Sequence, residues 1–482
     1  MKKLSICLAS TVLLSACAVG PDYQKPTSAS APEFKELAGW KLAAPQDEKL
    51  SSKWWEVYGD PVLNQLMEKV NINNQNILVA EAQYRQASAL VQAANAGLFP
   101  TLGASASAVR SSGTTSSLGA VNQNASTGLS ASWEPDIWGG IRRNIEANKS
   151  AAEASSADLE AARLSARATL AVSYFQLRVT DMQKRMLEDT VKAYRKSLEL
   201  TQNQYTAGIA KQLDIAQAQT LLKSTEALAI DTAVTRAQLE HAIAVLIGQT
   251  PSSFSLAPQE LTIDPNSGLI AGPASQLVAK LPGVPVGLPT SLLERRPDIA
   301  GAERRMASAN ANIGVAKAAF FPNLTLSATG GYASNVLPGL LSAPNQVWSL
   351  GPAIAGTLFD GGARSAASSR AVAGYDQSVA TYRQTVLAAF QDVEDNLVAL
   401  RLLEDETAAQ EAAVKYARNS VAMTMNQYKA GLVSYLSVVT VQATELTNER
   451  TLMTLMNRRL AAHVGLIRSL GGGWDASLAR ID

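Results

Sequence analysis

The sequence repeats itself at long range. Phe99-Pro100 recurs as Phe321-Pro322, and Gly139-Gly140 recurs as Gly361-Gly362 at the same offset. Asn203-Gln204-Tyr205 with Ala207-Gly208 recurs as Asn426-Gln427-Tyr428 with Ala430-Gly431, shifted by just one further position. Landmarks that keep their order and spacing mark a duplicated structural unit. The period is close to half the chain, far too long for a stacked solenoid, so the unit itself is large.

In the second copy, Arg296-Pro297-Asp298 opens a helical pattern that Phe321-Pro322 stops. Asn323 to Thr329 then alternates polar and apolar, the period of a strand with one wet face. Gly330, Gly331, Pro338, Gly339 and Pro344 punctuate a loop. Alternation resumes with Trp348, Leu350, Ile354 and Leu358 on one face, and Gly351-Pro352 predicts a bulge or bend. A proline-free helical pattern follows to about Tyr428. Val372, Val379, Val386, Val393 and Leu400 fall at seven-residue steps, with Tyr375, Tyr382, Ala389 and Leu403 three further on. That is a coiled-coil seam, interrupted by Asn396. A turn at Ala430-Gly431 leads to a helix from about Leu436 to Ser469. The first copy keeps this order: a helix from about Val62, a hairpin over about 101–135, a helix from about Ile141 to Gln204, a turn at Ala207-Gly208, and a helix from about Leu213. The second hairpin spans about 323–358.

A helix of about 64 residues extends roughly 95 Å. It is too polar for lipid, so it projects into water beside lateral partners. The strands have the opposite problem. Each has about ten residues, the length a tilted membrane strand needs. Four cannot close a barrel, and an open edge is not viable in lipid. Several copies must pool their strands, and three would give twelve. Trp133 and Trp348 fit either an aromatic girdle or an ordinary sandwich core.

The N-terminus is a processing segment. Lys2 and Lys3 precede an apolar stretch from Leu4 to Leu14, too short to span a bilayer. The run Leu14-Ser15-Ala16-Cys17 resembles a lipobox, which would make an acylated Cys17 the first mature residue. Ala18 lacks the acid that favours inner-membrane retention. Cys7 falls in the removed segment, so no disulfide framework is expected. A net charge of +1 argues against a nucleic-acid partner.

These residues resemble the outer-membrane factor (TolC-like) family, in its OprM/NodT-type lipoprotein branch. The likeness is carried by Gly20-Pro21-Asp22-Tyr23 after the lipid cysteine, Trp54-Trp55 with Asp60-Pro61, Leu292 to Ile299 around Arg295-Arg296-Pro297-Asp298, Phe321-Pro322, and Leu470-Gly471-Gly472-Gly473-Trp474. It implies an α+β membrane protein: a homotrimer whose twelve-stranded β-barrel, four strands per protomer, is continuous with a periplasmic α-barrel of twelve coiled-coil helices. The expected division is a signal peptide (1–16), a lipidated and equatorial N-terminal segment (17–62), a first repeat (63–248), an equatorial linker (249–296), a second repeat (297–470) and a tail (471–482).

The implied function is the outer-membrane channel of a tripartite efflux system. Its partners would be a periplasmic adaptor (membrane fusion) protein, an inner-membrane efflux pump and outer-membrane lipid. The turns at Gly208 and Gly431 would contact the adaptor. Asp214 matches a family acid that holds the tip closed through a tyrosine, matched by Tyr428, and an arginine, whose place Val433 takes. Ser437 and Thr440 occupy the family's acidic rings, and Leu436 matches an apolar constriction. Asp214 fits a helix N-terminal acid equally well. No catalytic motif, cofactor or metal cluster emerges. His241 and His463 stand without Cys or carboxylate neighbours in sequence, and Met423, Met425, Met453 and Met456 have the spacing of packing residues. The alternative from another class is a non-conducting trimeric coiled-coil surface scaffold or adhesin.

Overall fold

The computed structural model describes residues 18–26, 34–36, 53–112, 121–259, 261–263, 270–279, 281–282, 284 and 295–472. The signal segment, Cys17 and Trp474 lie outside these residues.

The duplication is visible in element lengths. The first copy contains α1 (Pro61–Asn73), α2 (Gln75–Ala96), β1 (Thr101–Ser112), β2 (Val121–Trp133), α3 (Gly140–Thr206) and α4 (Gln212–Leu246). Between the copies lie the short pair β3 (Thr262–Ile263) and β4 (Ile270–Ala271) and helix α5 (Pro273–Ala279). The second copy contains α6 (Pro297–Ala318), β5 (Asn323–Ser334), β6 (Gln346–Ala355), α7 (Ala363–Lys429) and α8 (Tyr435–Ser469). Helices α2 and α6 each have 22 residues, α3 and α7 each 67, and α4 and α8 each 35. At 1.5 Å per residue the longest pair extends about 100 Å. No described helix is long and apolar enough to cross a membrane.

Both long helices begin the same way. A positive-φ glycine, Gly139 or Gly362, turns the chain out of the sheet. An aspartate then meets the free amides. Asp136 accepts from the Ile141 and Arg142 amides at 3.0 and 2.9 Å, and Asp360 from those of Gly362 and Arg364 at 3.0 and 3.2 Å. An anion at this helix end satisfies orphan donors and complements the dipole.

Two expectations are corrected. The first helical region breaks at Asn74, which is extended and 2% exposed. Its side-chain nitrogen Nδ2 donates to Leu246 O at 2.7 Å, and its side-chain oxygen accepts from the backbone amides of Asn76 and Ile77. The C-terminal end of α4 thus selects the break. The bulge expected at Gly351-Pro352 is absent: the β5–β6 ladder runs unbroken from Asn323 opposite Ala355 to Tyr332 opposite Gln346. Pro352, which has no N–H to give to a ladder, stands opposite Leu326 without displacing the register.

The four long strands form one antiparallel sheet in the order β1-β2-β5-β6. The main apolar core lies well away from it, where Trp54, Trp55 and Tyr58 pack on Tyr174 and Phe175 of α3 and on α8. There the Tyr58 hydroxyl donates to His463 Nδ1 (2.7 Å), while Nε2 donates to Pro282 O (2.9 Å). The heptad seam of α7 is buried from Tyr382 to Leu403, whereas Val372 is exposed. Asn396 lies against Gly465 of α8, where any Cβ would run into its side chain.

Candidate functional site

The sheet has two chemically different faces. Ladder pairs share a face, so the registers sort every residue. One face carries Ser105, Ser107, Asn124, Ser126, Ser130, Thr325, Ser327, Thr329 and Ser349. The other carries Leu102, Ala104, Ala106, Leu129, Trp133, Leu324, Leu326, Trp348, Leu350 and Ile354. On the hydroxyl face, Ser107 bonds Ser126 at 2.9 Å and Thr329 bonds Ser349 at 2.7 Å. On the apolar face, Trp133 marks the helix end of its strand and donates from Nε1 to Leu98 O. Trp348 lies near the opposite end, shortly before the pair that closes the β5–β6 ladder. Two aromatics at opposite limits of an apolar band fit a girdle, not a sandwich core. Twelve residues at about 3.4 Å rise, tilted about 45°, span roughly 28 Å, close to a hydrocarbon core.

The tip is built by the two helix turns. Gly208 and Gly431 both adopt φ +74°, and nothing lies within 4 Å of where a Cβ would stand. Conformation alone demands glycine here. The turns close alike: the Ile209 amide donates to Gln204 O at 2.8 Å, and that of Leu432 to Gln427 O at 2.9 Å.

Asp214 caps α4, accepting from the Lys211 amide at 2.8 Å. Tyr428 is 6% exposed, edge-on to Tyr435, and its hydroxyl donates to Thr201 Oγ1 at 3.5 Å. Within one copy both residues therefore have structural partners of their own. They are still near neighbours. Burial raises the Tyr428 pKa, the Thr201 bond opposes this, and the Asp214 charge adds to it. Leu436 is 56% exposed on the first turn of α8. Beyond it Thr440, Thr444, Thr447, Thr451 and Thr454 line an exposed stripe, each hydroxyl donating to the carbonyl four residues back at 2.8 to 3.1 Å.

Two features went unread in the sequence. Tyr435 is fully buried and meets Ser197 Oγ at 3.2 Å. Arg418 bonds Glu449 at 2.8 Å with Glu445 one turn away. The internal repeat could have found that cluster, because its counterpart Arg195–Glu226 is formed at 3.2 Å in the first copy. Met453 and Met456 are core residues as expected, but Met423 is exposed. Among the described residues, no cluster of His, Cys, Asp and Glu could hold a metal ion.

A sheet with one wet face, one apolar face and two free edges, carried on helices about 100 Å long, defines a membrane channel subunit with a long extramembrane stem. Comparison with known proteins specifies it. The family described as "Outer membrane efflux protein" matches residues 66–249 and 288–472. The pyoverdine export outer membrane protein OpmQ of Pseudomonas aeruginosa is 31% identical, with 100% of both chains covered. The cation efflux system protein CusC of Escherichia coli O6:H1 is 29% identical, over 98% of this chain and 99% of that protein. Among solved structures, the outer-membrane channel OprN superposes with a TM-score of 0.84 at 29% identity, covering 95% of this chain and all of that one. The open state of the Neisseria gonorrhoeae MtrE outer membrane channel gives 0.80 at 26% identity, over 95% and 99%. The chain belongs to the outer membrane efflux protein family. It is an outer-membrane efflux channel, and the scaffold alternative is set aside.

Proposed function

We propose that three copies of the chain pool their strands into a twelve-stranded barrel, continuous with a periplasmic helical tunnel. This duct passively receives cargo from an inner-membrane efflux pump through a periplasmic adaptor protein. The observation that carries the proposal is the two-faced sheet with unpaired edges at β1 and β6. Such a sheet is not viable in lipid until further strands cover both edges.

The N-terminal strap supports a lipid anchor on Cys17. The Val19 amide donates to Trp138 O at 3.1 Å, Arg143 pairs with Asp22 at 2.6 Å, and Asn310 donates to Pro21 O at 2.9 Å. Ala18 abuts Gly139 where β2 passes into α3. Acyl chains on the preceding residue would start beside the strand ends. With the barrel they would hold the chain firmly in the outer membrane.

The uncharged threonine stripe of α8 lines the tunnel, a surface that wets cargo without retaining ions. Relatives are named for pyoverdine, cations and toluene, so ducts of this type serve unlike molecules and selection rests with the pump. At the far end, the turns at Gly208 and Gly431 dock the adaptor, and Asp214, Tyr428 and Leu436 hold the resting tip closed. No step needs catalysis or a cofactor here. Reconstitution in planar bilayers tests the proposal. Discrete single-channel conductance is expected, and a protein sealed under every condition would overturn it.

A further inference from the structure

The four long strands carry a single charged side chain, Arg110 of β1. We infer that Arg110 binds a phosphate of the phosphorylated glycolipid that forms the outer leaflet of the outer membrane, one such site per chain around the barrel. This rests on the barrel proposal above and adds a ligand to its outer wall.

Register decides which way the arginine faces. Arg110 pairs with Gln123, and the next pair on the same face is Ala108 with Ala125. Side chains alternate between faces, so Arg110 and Gln123 share the face of Leu102, Ala104, Leu129 and Trp133. That is the apolar face, which the barrel turns to lipid. On the hydroxyl face a cation would have stood in the path of cargo.

Depth decides which part of the membrane it reaches. A charge on the outer wall of a barrel is costly at the bilayer midplane and nearly free at the interface. β1 starts at Thr101, level with Ser132, and Trp133 beside it marks the helix end of the apolar band. Arg110 stands nine residues further on. At about 3.4 Å per residue and a tilt of about 45°, that is roughly 22 Å higher, close to the height of about 25 Å that such a band has. The duplication gives the same depth independently. Arg110 follows Phe99-Pro100 at the interval at which Tyr332 follows Phe321-Pro322. Tyr332 lies on the apolar face, between Thr127 and Gln346. A tyrosine there belongs to the headgroup level. Going outward, the lipid-facing wall therefore passes from Leu and Ala to Trp348 and Tyr332, and then to Arg110 with Gln123.

Chemistry decides the ligand. Arg110 is exposed, and no described residue holds its guanidinium in a hydrogen bond or ion pair. A guanidinium stays charged and presents a planar fork that fits a phosphate bidentately. Gln123, exposed on the same face, adds an amide donor. The strand ends away from the periplasmic helices reach the outer leaflet, whose lipid displays phosphates at this level. The phospholipid of the inner leaflet lies at the opposite end of the strand.

Native mass spectrometry of the full chain with bisphosphorylated lipid A as the probe tests this. The wild-type trimer should bind it about tenfold more tightly than Arg110→Gln, with Arg110→Lys between them. Dephosphorylated lipid A should bind all three alike and weakly. Comparing the two forms of lipid A on the wild-type chain needs no variant, so it stands even where a substitution prevents assembly. Equal binding of both forms by the wild type overturns the site and leaves the trimeric barrel standing. So does equal binding of the bisphosphorylated form by wild type and Arg110→Gln. Displacement of lipid A by inorganic phosphate at equal concentration marks a free-anion site and overturns the lipid assignment. A wild-type chain that is monomeric by native mass overturns the barrel reading itself.

Discussion

Glu445 is a carboxyl under tension from its surroundings. Burial, then the neighbouring Glu449 charge, push its pKa up to about 7 from 4.5, against the pull of Arg418. Between those values the folded chain holds more protons than the unfolded chain. The group's stabilising contribution is therefore complete below 4.5 and is lost as pH rises through about 7. Glu445→Gln should raise stability at pH 8 by on the order of 1 kcal/mol and change little at about pH 4.5. Melting curves at both pH values check this, and equal shifts would contradict it. His463 has the opposite sign. Burial lowers its pKa, so its contribution is present above about 6.5 and declines as pH falls below that value. Tyr58→Phe leaves His463 Nδ1 buried without a donor and should cost about 1–3 kcal/mol. At the tip, Tyr428→Ala or Asp214→Ala should increase inward leakage of a large antibiotic in cells. Unchanged permeability in both would remove these residues from the gate. That Asp214 and Tyr428 lie beside the two helix turns was legible, because the turn motifs are short and local. Their actual partners, Lys211 and Thr201, were not. The Tyr428 contact joins residues 227 apart, and no local pattern specifies it.

Among the elements, helix lengths and strand faces were readable, because periods of 7 and 2 are written directly into the chain. The hinge at Asn74 was not readable. It depends on a carbonyl 172 residues away. The straight passage of β6 through Pro352 was not readable either, because the register belongs to the pairing with β5 and not to the local residues. The close approach of α7 and α8 at Asn396 and Gly465 yields its own prediction. Gly465→Leu should lower stability by about 1–3 kcal/mol through overpacking. Adding Asn396→Ala should restore part of the loss, since the two sites share one contact. Purely additive effects in thermal or denaturant unfolding of the four variants would show that the helices do not compete for this space.

For the whole molecule, the decisive fact is an imbalance. One copy has ample helical core around Trp54, Tyr58 and Phe175, yet it leaves a sheet with two open edges and bare Leu358 and Phe359. Copies must complete one another for the sheet to enter lipid. The central claim is that the working channel consists of three such chains. Native mass measurement of the detergent-extracted complex tests it most directly. A single species at three times the mass of the mature chain is predicted, and a stable single-chain species that still conducts would contradict it.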